Sequence, residues 1–207
     1  MALTQVSTTH ADKVKRTYGY MKPFWLEPSN KDVMGYMLQG VEAGEWIPQG
    51  YPVFCEDDAA TGQKKATLCK YVAIMEKVST TIFRIKKNSL VKAGDKLTLV
   101  GGTVLSTVKS IEADGQYDKL TLTAANAEAD ADKSLALATE AGKAAYLPNR
   151  VVAEDCNMIE DDKTIVAAHS GIILKNIVKY PAAYINSETF PGSDLLVGCP
   201  AISFINQ

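Results

Sequence analysis

A period of two marks the stretch Thr80-Thr-Ile-Phe-Arg-Ile-Lys-Lys87. In an extended chain, one face carries Thr81, Phe83 and Ile85, and the opposite face carries Ile82, Arg84 and Lys86. A repeat of two residues is the period of a β-strand with one buried face. The stretch therefore predicts a half-buried strand.

Further short strands are predicted on both sides of this stretch. They cover residues 66–75, 97–100, 104–111, 120–123, 134–139, 150–153, 164–168, 172–178 and 201–205. Turn residues separate them at 92–95, at Gly101-Gly102, at 113–115 and at 169–171. Only the alanine-rich residues 125–131 favour a helical turn, because alanine has the highest helix propensity.

Many short strands at this spacing predict a mainly β protein with few short helices. We expect a small β-barrel or sandwich body with an inserted β-meander subdomain and an extended N-terminal arm. The predicted boundaries are 1–40 for the arm, 41–78 plus 146–207 for the body, and 79–145 for the inserted subdomain.

The arm contains a dense aromatic group with no helical or strand period: Tyr18, Tyr20, Phe24 and Trp25. Such a group exposes apolar area to water unless it docks on another surface, and this composition is typical of interfaces. These four residues, together with Trp46, are the predicted interface residues. The alternative is that the arm packs on its own domain.

The composition of the 207 residues is that of an ordinary globular chain, with 46% hydrophobic residues, 22% charged residues and a net charge of -2. A nucleic-acid backbone or an anionic membrane demands a basic excess, so neither is an expected partner.

The N-terminal residues 1–10 lack the basic and apolar regions of a signal peptide. We therefore expect synthesis in the cytoplasm.

Residues for catalysis are few. The chain has two histidines, and a dyad of His169 with Cys156 is formally possible, although no orienting acid accompanies it. The four cysteines, Cys55, Cys69, Cys156 and Cys199, show no C-x-x-C spacing and are expected to be reduced and mostly buried.

The acidic groups at 56–58, 128–132 and 160–162 fit solvated turns and miss the calcium-loop pattern. The sequence predicts no metal site and no cofactor.

Three passages together resemble the head-decoration and head-fibre proteins of tailed bacteriophages and their prophages. The first is Gly44-Glu-Trp-Ile-Pro-Gln-Gly-Tyr-Pro-Val-Phe54 with the strand at 66–75. The second is Val91-Lys-Ala-Gly-Asp-Lys-Leu97, which leads into the meander, and the third is His169-Ser-Gly-Ile-Ile-Leu-Lys-Asn-Ile-Val-Lys-Tyr-Pro181. The resemblance covers most of residues 40–207 and rests on β-turn chemistry.

The resemblance implies a non-enzymatic virion protein that forms homotrimers and binds the major capsid protein. Its N-terminal arm would contact the capsid lattice or a neighbouring subunit, by strand addition or by lying in a groove. Two alternatives stay open. One is a carbohydrate- or cell-surface-binding β-module, in which exposed Trp or Tyr rings stack on sugars. The other is a hydrolase that uses His169, Cys156 or a pair of carboxylates.

Overall fold

The computed structural model describes residues 30–31, 35–87, 89–158, 163–174, 178–186 and 195–205. Within these ranges the chain forms eighteen strands and one short 3-10 helix. The predicted mainly β fold class is therefore confirmed.

The strands in chain order are β1 (Asn30–Lys31), β2 (Tyr36–Gln39), β3 (Trp46–Ile47), β4 (Pro52–Asp57), β5 (Lys64–Leu68), β6 (Tyr71–Lys77), β7 (Ile82–Lys86), β8 (Lys96–Leu99), β9 (Leu105–Asp114), β10 (Tyr117–Leu122), β11 (Ser134–Leu137), β12 (Arg150–Val152), β13 (Cys156–Asn157), β14 (Thr164–Ile165), β15 (Ala167–Leu174), β16 (Ile185–Asn186), β17 (Leu195–Leu196) and β18 (Cys199–Ile205). The 3-10 helix covers Ala182–Tyr184.

Strands β6 to β11 form a closed barrel in the order β10-β7-β6-β11-β8-β9. The alternating stretch at 80–87 supplies β7, and its Phe83 and Ile85 are fully buried in the barrel interior. On the outer surface Arg84 forms ion pairs with Glu76 and Asp114, both at 2.8 Å. Alternate residues of β7 therefore face the interior and the outer surface of the barrel.

The remaining large sheet has the order β14-β2-β5-β4-β12-β15-β18-β17-β16. Its edge strand β14 and its inner strand β15 are separated in the chain by Val166 alone. This part of the sheet, from β14 through β2, β5, β4 and β12 to β15, therefore curls so that its first and last strands lie close together. This part of the sheet encloses a core that includes Val53, Ala66, Val152 and Ile165, all at 0% exposure. We call this part of the chain the body and these residues the body core.

A second apolar layer covers the outer side of β12 and β15. It contains Val151 and Ala168 from those strands, Ile202 and Phe204 from β18, and Ala136 from the barrel strand β11. Because this layer joins residues of the barrel and of the body, we call it the joint core.

The helical turn expected at 125–131 is wrong, because these residues form an irregular loop across the barrel. The Asn126 amide N–H donates to the Thr80 carbonyl oxygen at 2.7 Å, and the Asn126 side-chain oxygen accepts the Ala129 N–H at 3.1 Å. Ala129 is fully buried in the barrel core. Tertiary contacts therefore override the helix propensity of alanine.

The turn expected at 169–171 is also wrong, because β15 runs through these residues without a break. Its first half pairs with β12 and β1, and its second half pairs in parallel with β18. Partners distant in sequence satisfy the backbone groups that a local turn would otherwise have satisfied.

We predict that Gly142→Ala destabilises the protein by about 3 kcal/mol, whereas Gly115→Ala costs about 1 kcal/mol. Both glycines have a positive φ, 74° and 61°. An added Cβ at Gly142 would overlap the Gly102 carbonyl oxygen, but at Gly115 it would meet only open space. Urea unfolding of both variants measures the difference, and equal losses would contradict the proposed backbone contact.

Candidate interaction surface

The predicted arm enters the body as a strand. Asn30 and Lys31 pair antiparallel with Ser170 and Ala168 of β15. Val151 of β12 also pairs with Ala168, so β1 and β12 lie on opposite sides of β15. The C-terminal end of the predicted arm is therefore anchored to an inner strand of the sheet.

The predicted interface residues differ in where they lie. Tyr18, Tyr20, Phe24 and Trp25 lie outside the described residues. Trp46 lies on β3, which pairs with β13, and its side chain is only 4% exposed. Trp46 is therefore an interior residue of this fold and offers almost no surface to a partner.

An apolar surface lies on the outer side of β2, β5 and β4, and its central residue Phe54 is half-buried against the joint core. Val53 and Cys55 of β4 belong to the body core, so the alternate residue Phe54 faces outward, opposite Thr67 of β5. The Tyr146 ring packs on the Phe54 ring with their centroids 5.9 Å apart. Tyr146 is 40% exposed and its neighbour Leu147 is 47% exposed.

Met37 of β2 extends this surface at 50% exposure. Its chain neighbours Tyr36 and Leu38 belong to the body core, so Met37 faces outward like Phe54. We define the open face as Met37, Phe54, Thr67, Tyr146 and Leu147. Sequence reasoning missed Tyr146 and Leu147, because nothing in the segment before Pro148 distinguishes an exposed apolar pair from a buried one.

Ion pairs border the open face at the end of β4. Lys64 pairs with Asp57 at 3.1 Å, and Lys65 pairs with Asp58 at 2.5 Å. Lys65, followed by the Ala60 amide, holds the pKa of the Asp58 carboxyl well below its usual range. The acidic turn at 56–58 is thus neutralised largely by the chain's own lysines. No group of three metal-ligating side chains occurs in the part of the chain that the structure describes.

The cysteines and His169 are dispersed over the fold. Cys156 lies on β13 of a two-stranded sheet, whereas His169 lies on β15 of the large sheet. The Cys156 thiol donates to the Glu154 carbonyl oxygen, and the Cys199 thiol donates to the His169 carbonyl oxygen. Burial raises the pKa of the Cys69 thiol, which keeps it in the protonated, weakly nucleophilic form. All four cysteines are free thiols.

A group of tyrosines, three of them buried and the central Tyr71 partly buried, holds the barrel against the body. The ring of Tyr71, the first residue of β6, lies 5.6 Å from Tyr51, 5.5 Å from Tyr180 and 6.3 Å from Tyr184. The last two contacts are edge-to-face, the geometry that aromatic quadrupoles favour. We call these four residues the tyrosine joint.

Hydrogen bonds reinforce the tyrosine joint. The Tyr180 hydroxyl donates to the Gly50 carbonyl oxygen. From the barrel, the Ser134 hydroxyl donates to the Lys179 carbonyl oxygen at 2.9 Å, and Lys179 forms an ion pair with Asp132. These contacts hold the barrel on the side of the body that carries the joint core, against which Phe54 of the open face also packs.

Comparisons with protein-family models, curated proteins and solved structures find no match to this chain. Among the residues that the structure describes, no helix has the length and apolar character needed to cross a membrane.

We predict that the protein loses stability steeply as the pH rises above 10. Burial raises the pKa of all four tyrosines of the joint above the ordinary value of 10.0. The free energy of unfolding keeps its full value below pH 10 and falls above it. The reason is that above pH 10 the unfolded chain releases tyrosine protons that the folded chain retains. Each such tyrosine contributes a loss of about 1.4 kcal/mol per pH unit.

Tyrosinate absorbance followed together with circular dichroism tests this prediction. The buried tyrosines should ionise only as the fold is lost, and Tyr71→Phe should make the fall in stability shallower than in the wild type. Ionisation of all tyrosines in a folded protein would contradict it.

Proposed function

We propose that this chain is a non-enzymatic structural protein of a virion, which decorates the head of a tailed bacteriophage or prophage. It forms homotrimers and attaches to the major capsid protein through its N-terminal arm. It is synthesised in the host cytoplasm and resides in the virion.

The anchorage of the arm is the observation that carries this proposal. The arm joins the body at Asn30, which is hydrogen-bonded into the sheet beside β15. Trp25 lies only five residues before this anchor. A partner that binds the aromatic group is therefore coupled to the sheet through a short linker. Ordering so short a linker on binding costs little free energy.

The chemistry of the described residues supports a role in binding. Surface charges are mostly engaged in pairs, as Lys92 is with Glu42 and Glu45 and as Lys119 is with Glu112. Assembly of such a protein depends on buried apolar area more than on steering charge. The resemblance of residues 40–207 to head-decoration proteins supplies the identity of the surface that is bound.

Sedimentation with capsids of the encoding phage or prophage tests the proposal. Replacing Tyr18, Tyr20, Phe24 and Trp25 with alanine should weaken attachment more than about tenfold, because aromatic anchors carry much of the free energy of an interface. The matched control replaces Thr4, Gln5, Ser7 and Thr8 with alanine and should attach like the wild type. Light scattering should report a trimer. A monomer that attaches equally well with either set of substitutions would refute the proposal.

The second candidate function is carbohydrate binding, and the exposed Tyr146 ring favours it. This ring packs on Phe54 at an interplanar angle of 31° and is 40% open to solvent, so its exposed area is available to stack on a sugar ring. A glycan array should then give hits that Tyr146→Ala abolishes and Tyr117→Ala, on the barrel surface, retains. An array without hits would remove this candidate.

A further inference from the structure

The barrel strand β9 extends beyond the strand that it meets on one side. On the first side, β10 pairs along β9 from Val108 to Asp114. On the opposite side, β8 pairs only with Leu105 to Thr107, and the turn before β8 binds the N–H and the carbonyl oxygen of Val108 at 2.8 and 2.9 Å. Beyond Val108, no strand in the described part of the chain pairs with this second side. We call residues 109–114 the free edge.

The hydrogen bonds of β10 determine which backbone groups of the free edge are unpaired. The Leu122 amide N–H donates to the carbonyl oxygen just before β7 at 2.8 Å, so every second residue of β10 bonds β7. The residues between them bond β9, as Lys119 does with Glu112. Ile111 and Ala113 therefore direct their N–H and C=O groups away from β10, toward the unpaired side.

The side chains of the free edge separate onto two faces. Ile111 lies opposite Leu120, packs on the barrel core and is half-buried, whereas Ala113 is exposed. The outer face carries Glu112 and Asp114, whose side chains are 57% and 39% exposed. The cations that pair with these carboxylates lie on β10 and β7, further from the edge. A strand added here would thus meet an apolar side chain on one face and carboxylates on the other.

A second copy of β9 fits this edge poorly. The antiparallel register that pairs Ile111 of each copy with Ala113 of the other sets Glu112 directly opposite Glu112 of the second copy. Like charges in that position are destabilising. The register centred on Ile111 brings Ala113 opposite Lys109, where a β-bulge shifts the ladder and bends the strand. The occupant that suits the edge therefore carries positive charge.

We propose that the free edge binds an extended segment of a partner protein in which apolar and basic residues alternate. The segment lies antiparallel to β9 and forms four main-chain hydrogen bonds with Ile111 and Ala113. Its apolar side chains lie opposite these two residues, and the Lys or Arg between them lies opposite Glu112. This site on the barrel is separate from the arm and goes beyond the proposed function.

Two blocked pentapeptides test the proposal on the full chain. The basic peptide is Lys-Val-Lys-Val-Lys, and the matched acidic peptide is Glu-Val-Glu-Val-Glu. In amide NMR spectra, the basic peptide should shift the signals of Ile111 and Ala113 to saturation. The acidic peptide should leave both signals in place, because it sets carboxylates against Glu112 and Asp114.

Ala113→Pro should block the edge. Proline has no N–H, and the ladder with β10 is kept because the Ala113 N–H points away from it. The basic peptide should bind about tenfold more weakly, since one hydrogen bond is lost and the proline ring occupies its place. The matched control Ala113→Ser keeps the N–H and should bind like the wild type.

Glu112→Lys should reverse the preference, so that the acidic peptide binds more tightly than the basic one. Circular dichroism verifies that all three variants are folded.

Four results would overturn the inference. They are the absence of saturable shifts at Ile111 and Ala113, equal binding of both peptides by the wild type, equal binding of the basic peptide by Ala113→Pro and Ala113→Ser, and shifts of the two signals that develop with protein concentration alone. The last would assign the edge to a second copy. The measurement uses no capsid, so its failure is distinct from a failure of capsid attachment.

Discussion

The packing of Tyr71 against three other tyrosines is the contact on which the architecture depends. The chain leaves β5 of the body and enters β6 of the barrel through Cys69 and Lys70 alone. A link of two residues sets the distance between the two units, but side-chain packing must set their orientation. The rings of Tyr51, Tyr180 and Tyr184 surround Tyr71 and bury its apolar surface.

The tyrosine joint determines which apolar surface of the body the barrel covers. The barrel and the layer containing β18 occupy the outer side of β12 and β15, so their apolar residues are covered within the chain. On the outer side of β4, Phe54 packs against the edge of this joint core. The open face continues from there with Tyr146, Leu147 and Met37, which are 40%, 47% and 50% exposed.

The arm and the open face give the proposed function a physical form. Proteins that assemble on a surface must bury apolar area on binding but avoid aggregating before it. The proposed function relies on two described features, the anchor of the arm at Asn30 and the exposed apolar residues of the open face. The barrel and the body sheet contribute rigidity, which lowers the entropy lost when the body binds a partner.

The sequence by itself determined the mainly β class and the buried face of β7, whereas the single strand predicted at 66–75 is divided between β5 of the body and β6 of the barrel. Alternation at 80–87 predicted β7 with the correct inward residues, and turn residues located several of the connections. Local signals such as helix propensity, turn residues and composition fail where the deciding contacts come from residues distant in sequence. Three examples are the loop at 125–131, the unbroken β15, and Trp46, which composition could not distinguish from an exposed aromatic residue.

Only the tertiary structure decided which surface each apolar face meets. The residues of the tyrosine joint are separated by 20, 109 and 4 positions along the chain, and no local pattern links them. Closure of the barrel and the exposure of Tyr146 and Leu147 depend in the same way on which strands pair. The physical reason is that alternation records that a face is apolar, whereas pairing and packing select what that face contacts.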